Sequence, residues 1–137
     1  MSRVLTSRSH CVYSLNAHLV FVTKYRRKVI NAEVLAELKS ILIRLLAAND
    51  CELVEFGGEP DHVHLLISYP PTVTLSKLIN NLKAVSSKLI RKQFKEHVDK
   101  FYWKPVFWTA AYCVISTGGA PLDTVKKYIE NQNEPEE

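Results

Sequence analysis

The hydrophobic pattern of this 137-residue chain changes period along its length, and the order of those changes limits the fold more than any single residue does. From Cys11 to Thr23 the sequence CVYSLNAHLVFVT puts Val12, Ser14, Asn16, His18, Val20 and Val22 on one face and Tyr13, Leu15, Ala17, Leu19 and Phe21 on the other. Period two in β-branched and aromatic residues predicts a strand. Asn31 then stands as an N-cap, with Glu33 in the first turn and Ile30 and Leu35 at the spacing of a hydrophobic staple. Leu35, Leu38, Leu42, Leu45 and Leu46 repeat at helical spacing as far as about Asn49. The runs CELVEF and HVHLLIS, separated by Gly57, Gly58, Glu59 and Pro60, predict two antiparallel strands joined by a turn. A second helix follows from Leu75 to Lys95, with Leu78, Leu82, Val85 and Leu89 on its apolar face and Lys77, Lys88, Arg91 and Lys95 on a basic one. VFWTAAYCVIS, from Val106 to Ser116, predicts a fourth strand. After the breaker Thr117 to Pro121, a last helix runs from Leu122 to about Gln132.

Strand, helix, strand, strand, helix, strand is the split βαβ or ferredoxin-like arrangement, an α+β fold whose first and third strands are central neighbours in an antiparallel sheet. The final helix, which carries Tyr128, is an addition to it. The length suits one compact domain, placed at 11–132. A basic lead-in at 1–10, expected to be flexible, precedes it, and an acidic tail at 133–137 follows. Eighteen Lys and Arg against 14 Asp and Glu give a formal charge of +4, which permits a nucleic-acid partner without requiring one. Cys11, Cys51 and Cys113 are odd in number, widely spaced and set in apolar stretches. They read as buried thiols of a reducing compartment rather than as disulfides or a zinc knot. No segment approaches the roughly 20 apolar residues of a membrane span, and no signal-peptide pattern follows Arg3 and Arg8. A cytoplasmic protein with no membrane partner is expected.

His62 and His64 open the third strand, and residues i and i+2 of a strand point the same way. Two imidazoles can then share one ion. The pair also fits two half-buried structural histidines. Asp61 beside it, the otherwise apolar strand, and the cost of burying imidazoles without partners favour the ion. Tyr128 and Gln132 lie at i and i+4 of the last helix, hence on one face. Gln132 adds an oxygen donor, and two imidazoles with a neutral amide suit Mg²⁺ or Mn²⁺ working on a substrate phosphate. Gln132 equally fits a solvated residue near a fraying end, and Tyr128 a core residue beside Val125 and Ile129.

PDHVHLLIS, the earlier TKYRRKV and the late VKKYIENQ together resemble the HUH single-tyrosine transposases of bacterial and archaeal insertion sequences, the short TnpA type. The similarity runs from about Tyr13 to Gln132 in order and spacing. It implies that His62 and His64 bind the metal with Gln132 as third ligand, and that Tyr128 is the nucleophile forming a 5′-phosphotyrosine. It also implies a homodimer that cleaves and rejoins single-stranded DNA and recognises DNA hairpins at the transposon ends. Over Phe101 to Trp108 the resemblance carries no detail.

Holding such a substrate takes cations along a backbone and aromatic or polar groups for bases. Lys24, Tyr25, Arg26, Arg27 and Lys28 form the densest basic run, and Lys88 and Arg91 of the second helix add to it. His18 reads as structural, His10 and His97 as surface residues, and Trp103 and Trp108 as packing residues. Two other function classes fit the same fold: a non-catalytic single-stranded nucleic-acid-binding module, and a metal-dependent phosphohydrolase with water as nucleophile.

Overall fold

In the computed structural model, which describes residues 6–8, 11–13, 15–116 and 129–131, the alternating segment after Cys11 divides in two. β1 (Thr6–Arg8) pairs antiparallel with β2 (Cys11–Tyr13) as a separate two-stranded sheet, and the long strand proper is β3 (Asn16–Val22). Residues 6–8 were expected to belong to an irregular lead-in and 11–23 to be one strand. Three-residue strands are too short for a period to show in the sequence.

The main sheet has four strands in the order β4 (Glu52–Glu59), β5 (His62–Ser68), β3, β6 (Cys113–Ser116), with every neighbouring pair antiparallel. β3 and β5 are thus the central pair, as the ferredoxin-like arrangement requires. They run in unbroken register from Asn16↔Ser68 to Val22↔His62. α1 (Ala32–Ala48) and α2 (Leu75–Gln93) bury one face of this sheet against Ala17, Leu19 and Phe21 of β3 and Val63, Leu65 and Ile67 of β5. Asn31 caps α1 as expected, its side chain accepting the Val34 N–H at 2.8 Å. The buried stripe of α1 centres on Val34, Leu38, Ile41, Leu42 and Leu46, with Leu35 and Leu45 half-buried at its margin. Each such aliphatic side chain contributes about 1.5–3 kcal/mol. Among the described residues no helix is long and apolar enough to cross a membrane.

Three further boundaries differ from the sequence expectation. Gly57, Gly58 and Glu59 lie inside β4, and the turn to β5 is only Pro60–Asp61. The second helix breaks at Phe94 (φ −115°, ψ 41°) and resumes as the short α3 (Lys95–Val98). The run from Val106 to Ser116 joins the sheet only through an isolated Thr23↔Trp108 bridge and then through β6. Between them the chain leaves the sheet because Lys83 of α2 holds it. The Lys83 Nζ donates to the carbonyls of Thr109, Ala110 and Ala111 at 2.8, 2.9 and 3.0 Å. Burial pulls this ammonium down to about 8, and the three carbonyls supply the acceptors that keep it charged at neutral pH. One turn on, Ser86 accepts the Trp108 Nε1–H at 3.0 Å. Lys83→Met should leave three carbonyls without their donor. A loss of about 2–3 kcal/mol, seen as a melting temperature lower by roughly 10 °C, is expected. An unchanged melt would mean that the loop holds its course without the lysine.

Candidate metal centre

Since α1 and α2 occupy one face of the sheet, the alternate residues of its strands form rows across the other. Glu59, His62 and Val22 make one row; Gly57, His64, Val20 and Cys113 the next; Glu55, Leu66, His18 and Ile115 the third. His62 and His64 are therefore neighbours along one central strand, roughly 6.5–7 Å apart at the backbone. His18 lies half-buried on the same face. Cys113 is partly exposed there, whereas Cys51 is buried under α1, so the expectation of buried thiols holds for Cys51 alone of these two.

Each histidine is positioned by a feature of its surroundings. The His62 Nδ1 is 2.9 Å from Asp61 Oδ1, and the other carboxylate oxygen accepts from Arg26 Nε at 3.2 Å. Burial pushes the Asp61 carboxyl up, but the hydrogen bonds from His62 and Arg26 and their charges outweigh it and hold the group below its ordinary value. An ionised carboxylate only accepts, so the proton of this bond sits on His62 Nδ1, and in the neutral ring Nε2 is the nitrogen that carries the lone pair. This is the carboxylate–histidine arrangement that fixes tautomer and ring orientation in metal sites. His64 has an exposed edge, yet burial of the remainder lowers its pKa. The charges of His62 and His18 act in the same direction and Glu55 and Glu59 oppose them. Neutral imidazole, the form that binds a metal, is thereby favoured. The His64 ring lies across Gly57: a Cβ on Gly57 would sit 2.6 Å from His64 Nε2. The two glycines of β4 are thus strand residues that make room, Gly57 for an imidazole and Gly58 for the His62 carbonyl and Leu35.

The basic run folds as a tight turn beside this centre. Lys24, Tyr25 and Arg26 form one 3-10 turn in which Tyr25 (φ 59°) and Arg26 (φ 54°) both take left-handed backbone conformations. Two consecutive non-glycine residues there cost about 1 kcal/mol or more each. The turn is held from below by buried Thr23, whose N–H donates to Asp61 O at 3.0 Å and whose hydroxyl is 2.6 Å from Arg27 O. Of the residues expected to face DNA, Arg26 instead points inward to Asp61, Arg27 donates to the Phe101 carbonyl at 3.0 Å, and Lys28 is exposed. On α2, Lys88 is exposed and Arg91 donates to Ser87 Oγ at 3.1 Å. His97, expected on the surface, is half-buried with its Nε2 2.7 Å from Val29 O. Trp108 packs as expected, but Trp103 does not: it is exposed.

Residues 129–131 are helical. Ile129 and Glu130 line a recess of about 400 Å³ together with Arg26, Asp61 and His62. Tyr128 and Gln132 lie outside the described residues. Among the described residues no group of three or more His, Cys, Asp or Glu is placed to hold a metal ion, so His62, its tautomer set by Asp61, and His64 stand as a two-imidazole donor set. That set fits a divalent ion whose remaining positions are filled by oxygen donors.

Sheet order and histidine placement together define a ferredoxin-like protein with a candidate metal centre at the head of a central strand. The chain belongs to the IS200-like transposases: the family described as Transposase IS200 like matches residues 11–132. It is thus an enzyme of DNA transposition. It is 33% identical over 125 residues to the ISDra2 transposase TnpA of Deinococcus radiodurans, covering 91% of this chain and 89% of that one. To the transposase for insertion sequence element IS200 of Salmonella typhimurium it is 31% identical over 128 residues, covering 93% and 83%. The crystal structure of a putative transposase from Deinococcus radiodurans superposes with a TM-score of 0.81 at 33% identity, covering 95% of this chain and 98% of that one.

Proposed function

We propose that this transposase cleaves and rejoins single-stranded DNA at insertion-sequence ends, with Tyr128 as nucleophile and with Mg²⁺ or Mn²⁺ held by His62, His64 and Gln132. The observation that carries the reading is the pair of co-facial histidines with His62 locked on Asp61. Its support is that the residues following Tyr128, Ile129 and Glu130, line the recess beside His62. A divalent ion held by His62, His64 and Gln132 would supply positive charge against the negative charge of the scissile phosphate and its leaving oxygen.

The residues of the chain account for the rest. Asp61 holds His62 in one tautomer, and Arg26 keeps Asp61 ionised. The Tyr128 hydroxyl gives up its proton as its oxygen bonds to phosphorus. The P–O3′ bond breaks, and the 3′ oxygen leaves as a hydroxyl. The product is a 5′-phosphotyrosine. No water is consumed, so a second 3′-hydroxyl can attack the same phosphorus and release the tyrosine without ATP. Lys24, Arg27 and Lys28 of the basic turn, with Lys88 and Arg91, hold the hairpin backbone. One nucleophilic tyrosine among the six of each chain, with two strand ends to exchange, calls for two subunits.

The test incubates the protein with Mg²⁺ and a single strand carrying a hairpin and a flanking cleavage site. A denaturant-resistant protein–DNA adduct is expected. His62→Ala combined with His64→Ala should lose the adduct by a factor of about 100 or more while hairpin binding persists. Loss of hairpin binding alongside would assign the two histidines a structural role instead.

A further inference from the structure

Trp103 exposes 81% of its surface, against 7% for Trp108. Single exposed apolar residues are ordinary on protein surfaces, but this one is part of an assembly. The Lys104 Nζ lies 5.0 Å from the Trp103 ring centroid and 5.4 Å from that of Tyr25. Lys24 Nζ and Arg27 Cζ approach the same Tyr25 ring at 5.4 and 5.3 Å. Side-chain bonds to backbone carbonyls fix the two segments to each other: the Tyr102 hydroxyl donates to Lys24 O at 2.7 Å, and the Arg27 guanidinium donates to Phe101 O. Arg91, Lys95, Trp103 and Lys104 also share a recess of about 450 Å³, in which Asp99 is engaged by Lys95 at 2.8 Å.

Cations set among aromatic rings, one of them open to solvent, are the composition of a platform for unpaired nucleotides. The cations meet phosphates, and an exposed indole face accepts any base. A duplex cannot use such a face because its bases already stack on one another. The placement is equally informative. The turn that sends Arg26 inward to Asp61 presents Tyr25 and Arg27 outward to the Trp103 segment. We infer that Trp103, flanked by Tyr25 and Lys104, is a stacking platform for an unpaired base of single-stranded DNA, joined through the 24–27 turn to the candidate metal centre. The inference rests on single-stranded DNA being the substrate.

The test measures binding of the full chain, without metal, to two labelled DNAs: a hairpin with a single-stranded flank and a blunt duplex. Trp103→Ala should weaken binding of the flanked hairpin about tenfold and leave the duplex affinity unchanged. Trp103→Phe should recover most of the loss. The slope of log affinity against log salt should not change, because stacking releases no counterions. Flanked DNA should quench tryptophan emission in the wild type and leave the emission of Trp108 in Trp103→Ala unaltered. Wild-type affinity in Trp103→Ala overturns the platform, as does a changed oligomeric state with unchanged single-strand affinity, which would make Trp103 a contact between copies. The Tyr128 adduct, assayed with Mg²⁺ on the same proteins, separates the two readings. An adduct with no Trp103 effect on binding sinks the platform alone; a Trp103 effect with no wild-type adduct supports the platform and sinks the strand-transfer chemistry.

Discussion

Tyr128→Phe is expected to abolish the covalent protein–DNA adduct, a fall on the order of a thousandfold or more, with hairpin affinity essentially unchanged. Phenylalanine keeps the ring and removes only the oxygen proposed to bond to phosphorus. With the DNA labelled at its 3′ end, the fragment joined to tyrosine is the one seen, so a denaturing gel reads the step directly. Cleavage that persists in Tyr128→Phe without an adduct would mean that water attacks the phosphate. The chain would then use its histidines as a phosphohydrolase does.

Gly57→Ala should produce the second largest effect on function and almost none on stability. The added Cβ would fall 2.6 Å from His64 Nε2 and 2.9 Å from its Cε1, a separation that real atoms do not sustain. The obstacle is the far end of a side chain, so the imidazole turns away and the strand survives. Alanine even relieves the entropic cost of a strand glycine by about 0.5–1 kcal/mol. Displacing a ligand by this much should weaken Mn²⁺ binding about 10- to 100-fold, as loss of a supporting contact does in metal sites. Gly58→Ala is the control. Its Cβ would meet the His62 carbonyl and Leu35 Cδ1 at 2.9 Å, one of them backbone, so the melting temperature should fall. Calorimetric titration with Mn²⁺ beside a thermal melt separates the two variants. Wild-type Mn²⁺ affinity in Gly57→Ala would contradict the placing of the ion at His64.

Much of the fold was legible because its signals are local. Asn31 capping α1, the period-two run that became β3, and the apolar stripes of α1 and α2 each follow from residues within a few positions of one another. So does the co-facial pair His62 and His64, which needs only the strand repeat. What escaped depends on contacts distant in sequence. Gly57 and Gly58 resemble turn residues until the register sets them opposite His64 and Val63. The chain departs from the sheet at Thr109 because of Lys83, more than twenty residues earlier, as the lysine's bond to Thr109 O spans 26 positions. The inward swing of Arg26 depends on Asp61, 35 positions away. Trp103 sits in a loop whose course is set by bonds to the 24–27 turn, and no periodicity distinguishes an exposed tryptophan there from a packed one. The i, i+4 spacing of Tyr128 and Gln132 is visible in the sequence, and the roles proposed for them come from the resemblance to single-tyrosine transposases.

The most direct measurement of the central claim is to locate the covalent bond. The Mg²⁺-dependent adduct is digested with protease and nuclease, and the modified peptide is identified by mass spectrometry. A nucleotide joined through its 5′ phosphate to Tyr128, formed by the wild type and absent when Mg²⁺ is withheld or His62 and His64 are both alanine, is the predicted result. A nucleotide on any other residue, or an adduct that forms equally without metal, would contradict it.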